Sequence, residues 1–141
     1  MKYLIAAAAL VLATPLLATP LFAGDPAAGE ADFKKCKSCH AVVAPDGTEV
    51  QKGGKVGPNL WGVIGRQIGA LEGFNFSAAM VAAGADGTVW DEATLAAYVV
   101  DPSKWLQDKT GDAAARSKMS FKLKEGGADI AAYLASLNPV E

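Results

Sequence analysis

The sequence predicts an all-α domain of three to four short helices joined by long loops. Two observations lead there: apolar residues recur at helical spacing near both ends and in the middle, and the stretches between them are dense in turn residues. A third is negative, since alternating strand patterns are almost absent.

Met1-Lys2-Tyr3 gives a short positive start, Leu4 to Ala13 is an apolar run, and Leu21-Phe22-Ala23 before Gly24-Asp25 has the small-residue pattern of an export cleavage site. Residues 1–23 therefore read as a secretory signal peptide cut after Ala23, and 24–141 as a single domain. An uncleaved membrane anchor is the competing reading; Pro15, Pro20 and the weakly apolar, alanine-rich character count against it.

Asp25-Pro26 starts the first helix, because Asp can cap orphan amides and Pro suits the first turn; the helix runs to Lys35, with Gly29 and Phe33 on one face. A weaker helix is expected around Ser77 to Ala83. Asp91 caps a third, running to Val100 with Leu95, Tyr98 and Val99 inward and Asp101-Pro102 as its stop. The last runs from Ala128 to Leu137, placing Ile130, Tyr133, Leu134 and Leu137 on one stripe before Asn138-Pro139. The terminal helices are too short to stand alone and should cross, with Gly29 admitting a close approach. So few short helices have limited apolar surface to bury, so some other apolar body must fill the centre.

The hydrophobic share of 51% is inflated by the leader, and 13 basic residues against 15 acidic give a net charge of −2 that falls further once Lys2 is removed. An acidic chain offers no support for nucleic-acid binding. The lysines are nonetheless clustered: Lys34, Lys35 and Lys37 flank the cysteines, Lys52 and Lys55 follow, and Lys118, Lys122 and Lys124 surround Met119.

Both cysteines lie in Cys36-Lys37-Ser38-Cys39-His40, the Cys-x-x-Cys-His pattern of covalent haem attachment. Two thiols one turn apart reach the two vinyl groups of one porphyrin, and the adjacent imidazole comes beneath the iron. His40 is then the proximal ligand, and as the chain's single histidine it rules out a bis-histidine haem within one subunit. A thioredoxin-like dithiol would need a preceding buried strand, and a zinc site would need a fourth ligand at metal-binding spacing; neither is evident. For the sixth position, Met119 in Arg116-Ser117-Lys118-Met119-Ser120-Phe121 sits on a loop able to fold over a haem face. Met80, on the expected helix from Ser77, suits a flexible core filler, and an open sixth position is the remaining alternative.

With these residues in hand, the sequence resembles the class I c-type cytochromes, most of all the long-loop bacterial cytochrome c2 group. The likeness spans the chain from Gly24 to the final helix: Cys36 to His40, Gly57-Pro58-Asn59-Leu60 with Gly65-Arg66, Trp90-Asp91-Glu92, Tyr98, Asp101-Pro102, and Lys118 to Phe121. It implies the class I cytochrome c fold wrapped around one covalently bound haem c. It further implies that the Pro58 carbonyl accepts a hydrogen bond from His40, that Tyr98 approaches the Met119 sulfur, and that Trp90 and Arg66 lie near a haem propionate. A plain core aromatic suits Trp90 almost as well. Val42 to Lys55, and the loop containing Gly111-Asp112-Ala113 between Trp105 and Met119, are insertions relative to compact members and suit the long type.

The expectation is a monomeric periplasmic electron carrier, not an enzyme. It would shuttle single electrons from a cytochrome bc-type quinol oxidoreductase to a photosynthetic reaction centre, a terminal oxidase or a peroxidase. Contact with these membrane proteins would be transient, through a haem edge ringed by Lys35, Lys37, Lys55, Lys118 and Lys122. The alternatives are a haem enzyme or gas sensor whose Met119 side opens to a small ligand and, remotely, a dithiol oxidoreductase.

Overall fold

A computed structural model describes residues 24–137; the leader, its cleavage site and the Asn138-Pro139 stop lie outside the described residues. Helix α1 (Pro26–Asp32) begins where Asp25 accepts hydrogen bonds from the amides of Ala27 and Ala28, and a short 3-10 turn, Phe33–Lys35, carries it into the cysteine motif. Helix α5 (Gly127–Ser136) crosses α1, and their contact depends on a missing side chain. A Cβ on Gly29 would lie 2.0 Å from the Asp129 carbonyl oxygen and 2.8 Å from Tyr133 Cβ. Phe33, fully buried, meets the Tyr133 ring at 5.8 Å between centroids.

Helix α2 (Ala78–Ala83) is capped by Ser77, whose hydroxyl accepts from the Met80 amide, and Met80 is buried in the core as a filler. Helix α3 (Glu92–Val100) is capped by Asp91, packs on α5, and turns Leu95, Tyr98 and Val99 inward.

The chain departs from expectation after α3. Asp101-Pro102 stops that helix as foreseen, but the same pair starts α4 (Pro102–Thr110), because the Asp101 carboxylate caps the Lys104 amide and Pro102 fits the first turn. The described residues thus hold five α-helices rather than three to four, and part of the expected loop before Met119 is helical. Its polar sequence hid it: only Pro102 and Leu106 are buried, and the helix ends at Gly111 with φ of 71°.

The Val42 to Lys55 insertion folds as a hairpin of β1 (Val42–Val43) and β2 (Glu49–Gln51), strands too short to leave an alternating signal. Gln51 Nε2 donates to Tyr133 Oη at 2.8 Å and ties the hairpin to α5. On the other side, Trp90, Tyr98 and Trp105 form an aromatic triangle with centroids 5.1 to 5.6 Å apart. It sits at the junction of α3 and α4.

Candidate functional site

The cysteine motif prolongs the helical entry by one turn. Cys36 N–H donates to the Phe33 carbonyl at 2.8 Å, and Cys39 and His40 both donate to the Cys36 carbonyl, at 3.2 and 2.9 Å. Both thiols are free and partly exposed. Burial pushes the Cys36 thiol up from its ordinary value, against the Lys35 ammonium, which lowers it.

A second segment lies flat along this turn. Gly54 N–H donates to Lys37 O, Gly57 N–H to Cys39 O and Leu60 N–H to Ala41 O, at 2.8, 2.8 and 3.1 Å. Only glycine permits this, since a Cβ on Gly53 would lie 1.9 Å from His40 O and one on Gly54 2.3 Å from Ser38 O. Asn59 fixes the far end by pairing both amide and carbonyl of Val43, at 3.0 and 2.8 Å. These contacts bring the Pro58 carbonyl to 2.9 Å from His40 Nδ1.

That contact decides the ring's chemistry. Nδ1 donates to Pro58, leaving the Nε2 lone pair free, and no described residue takes it. Burial lowers the His40 pKa, opposed by the Pro58 carbonyl, so the imidazole is neutral at neutral pH and suited to a metal. The ring is also pinned on its face, because a Cβ on Gly57 would be 2.3 Å from His40 Cε1.

Met119 is partly buried against the core cluster, on a loop tethered at several points. The Tyr98 hydroxyl hydrogen-bonds with Ser117 Oγ at 2.8 Å, and Ser117 Oγ accepts the Met119 N–H at 3.0 Å. Burial raises the Tyr98 phenol above its ordinary range. Tyr98 thus reaches the Met119 loop through Ser117, a residue to which the sequence reading gave no role.

Arg66 and Trp90 are brought together by backbone pairing: Gly65 N–H donates to Trp90 O at 2.7 Å and Trp90 N–H to Arg66 O at 2.9 Å. The Arg66 guanidinium donates to the carbonyls of Asn59 and Trp61, which leaves other N–H groups of its five unused. Trp90 is 7% exposed, yet its indole N–H has no acceptor among the described residues. A buried donor with no acceptor among the described residues is suited to an acceptor that a ligand supplies. A haem propionate is such an acceptor, so the free thiols, the neutral imidazole, the half-buried thioether and this indole together fit a covalently held haem c.

Of the five lysines expected at the haem edge, Lys35 pairs with Asp32 at 3.0 Å, Lys122 with Asp101 at 2.7 Å, and Lys118 donates to Asn75 O at 2.8 Å. Lys37 and Lys55 are exposed and have no ion-pair partner among the described residues.

No family model matches the chain. Individual proteins do. Cytochrome c2 of Rhodobacter capsulatus is 52% identical over 130 residues, covering 92% of this chain and 91% of that protein. Cytochrome c-550 of Paracoccus versutus is 52% identical over 134 residues, covering 94% and 85%. The crystal structure of ferric Paracoccus versutus cytochrome c-550 superposes with a TM-score of 0.80 at 52% identity, over 82% of this chain and 99% of that one. Rhodobacter capsulatus cytochrome c2 superposes with a TM-score of 0.79 at 52% identity, over 80% and 97%.

Proposed function

The chain belongs to the cytochrome c2 family of class I c-type cytochromes, and from that premise we propose how its residues hold the haem, where it works and what it meets. It carries one covalently bound haem c and is an electron-transfer protein, not an enzyme. Its partners are other redox proteins.

Cys36 and Cys39 would form the thioethers, and His40 and Met119 would ligate the iron. The observation that carries this reading is the 2.9 Å contact between His40 Nδ1 and the Pro58 carbonyl, which leaves the chain's single histidine with one free lone pair. When bound, the haem takes up and releases one electron, with the ferrous state favoured by thioether ligation. The polypeptide's part is to hold that centre still. Pro58 fixes the imidazole plane and raises its basicity; Gly57 backs the ring; the Trp90 indole and the unused Arg66 donors offset propionate charge; and the buried Tyr98 steadies the Met119 loop through Ser117. With His40 and Met119 both ligating the iron, a small molecule would find no coordination site, which suits electron transfer over catalysis.

Residues 1–23 are the export signal, removed after Ala23, and 24–141 form one monomeric periplasmic domain. It shuttles electrons from a cytochrome bc-type quinol oxidoreductase to a reaction centre, oxidase or peroxidase. Lys35, Lys37, Lys55, Lys118 and Lys122 steer encounter with an acidic docking surface. A pyridine haemochrome assay combined with intact mass tests the core of this reading. One haem on a chain beginning at Gly24 is expected; a colourless polypeptide with free thiols, made alongside working maturation machinery, refutes it.

A further inference from the structure

The junction of α3 and α4, with Asp101 as the α4 cap and Ser103 in its first turn, touches the Met119 loop at both of its ends. On the near side the Ser117 N–H donates to Ser103 Oγ at 3.1 Å. The same Ser117 turns its hydroxyl to the Met119 N–H and to Tyr98. Its proton balance closes, because one hydroxyl can accept from an amide and still donate to, or accept from, a phenol. On the far side Lys122 Nζ meets Asp101 Oδ2 at 2.7 Å, and Leu123 N–H donates to the Val99 carbonyl at 2.8 Å.

The base of these contacts is itself held. Pro102 and Leu106 are buried to the limit, Trp105 packs on Trp90 and Tyr98, and Lys109 reaches from the end of α4 to Asp86 and Thr88 at 3.0 and 2.9 Å. A rigid helix start gripping six residues of loop at two points, Ser103 and the Asp101 cap, restricts where the residue between them can go.

We propose that Ser103 and Asp101 form a two-point clasp that positions the Met119 loop. Ser103 is a positioning residue, acting on Met119 through the Ser117 backbone, and Asp101 serves twice, as the α4 cap and as the anchor of Lys122. The proposal rests on Met119 being the sixth ligand.

Two readouts separate the clasp from a general loss of stability. One is amide hydrogen exchange at Ser117 and Met119 against that of Tyr133 and Leu134 in the α1–α5 crossing. The other is carbon monoxide affinity of the reduced protein, since that ligand must displace Met119. Ser103→Ala is expected to speed exchange in the loop and raise carbon monoxide affinity, each about three- to tenfold for one lost hydrogen bond, with the crossing unchanged. Ser103→Thr, which keeps the hydroxyl, should behave as wild type. Asp101→Asn, which keeps a good cap but drops the ion pair, should give a smaller rise. If Met119→Ala raises carbon monoxide affinity but Ser103→Ala matches Ser103→Thr in both readouts, the clasp is wrong and the ligand stands. If Met119→Ala leaves that affinity at the wild-type value, the ligand assignment fails and takes the clasp with it.

Discussion

Replacing Gly57 by alanine is the sharpest single perturbation of the site. The new methyl would fall 2.3 Å from His40 Cε1, 2.6 Å from Nδ1 and 2.7 Å from Nε2, whereas unstrained carbon contacts begin near 3.4 Å. The ring must retreat by about 1 Å or the 53–60 segment must lift away. Neither movement is free, because the imidazole is held by Pro58 at 2.9 Å and the segment by three backbone bonds to residues 37–41. Overpacking of this kind costs about 1–3 kcal/mol, and losing the Pro58 bond adds about 1. A combined loss of about 2–4 kcal/mol should lower the melting temperature of the holoprotein by about 10 °C or more. It should also move the reduction potential upward, since an imidazole without its carbonyl partner is a weaker donor to the oxidised metal. Denaturant titration followed by Soret absorbance, with spectroelectrochemistry on the same sample, reads both effects. A Gly57→Ala protein within about 0.5 kcal/mol of wild type and at an unchanged potential would refute the argument that this glycine seats the ligand.

Other substitutions probe separate joints. Gly29→Ala puts a methyl 2.0 Å from the Asp129 carbonyl, and should separate α1 from α5 at a cost of about 3 kcal/mol, read as a shifted denaturant midpoint with little change in the visible spectrum. Asp91→Ala removes the cap on the Thr94 amide and should cost about 1 kcal/mol by the same titration. Asp86 has its carboxyl held well below the usual range by Thr88 and Lys109. A lowered folded-state pKa contributes stability above the ordinary carboxylate pKa and loses it as pH falls, so Asp86→Asn should be less stable than wild type at pH 7, and the gap should close on acidification below about pH 4. Neutralising Lys37 and Lys55 to glutamine should slow electron transfer to an acidic redox partner and flatten its fall with ionic strength; stopped-flow rates across a salt series check this.

The chemistry of the site was more legible in the sequence than its mechanics. Cys36, Cys39 and His40 announce themselves because covalent attachment demands a fixed local spacing, and Asp25 and Asp91 because capping is likewise local. The α4 helix stayed hidden since its nine residues bury only Pro102 and Leu106 and so show no apolar stripe. Gly53 and Gly54 read as ordinary turn residues and Gly57 as part of a shared motif without its reason, although each is required by a backbone or ring that arrives from elsewhere in the chain. The work of Ser117 and Asn59 was invisible for the same reason: a hydroxyl or an amide carries no sign of its distant partner.

The crossing of α1 and α5 also bears on how the polypeptide reaches its final shape. Asp25 N–H donates to Asp129 Oδ1 at 2.8 Å across 104 positions, so the two ends of the domain complete one interface. Pairing across so long a loop carries a large closure cost and slows folding, and the first helix has nothing to lean on until the last has been synthesised. Cys36 and Cys39 follow that first helix and its 3-10 turn, so under the proposed haem attachment they stay on an open chain until the last helix arrives, accessible to whatever enzyme would join them to the porphyrin. Closure of the ends then seals the product, and a truncation at either terminus should undo both helices together.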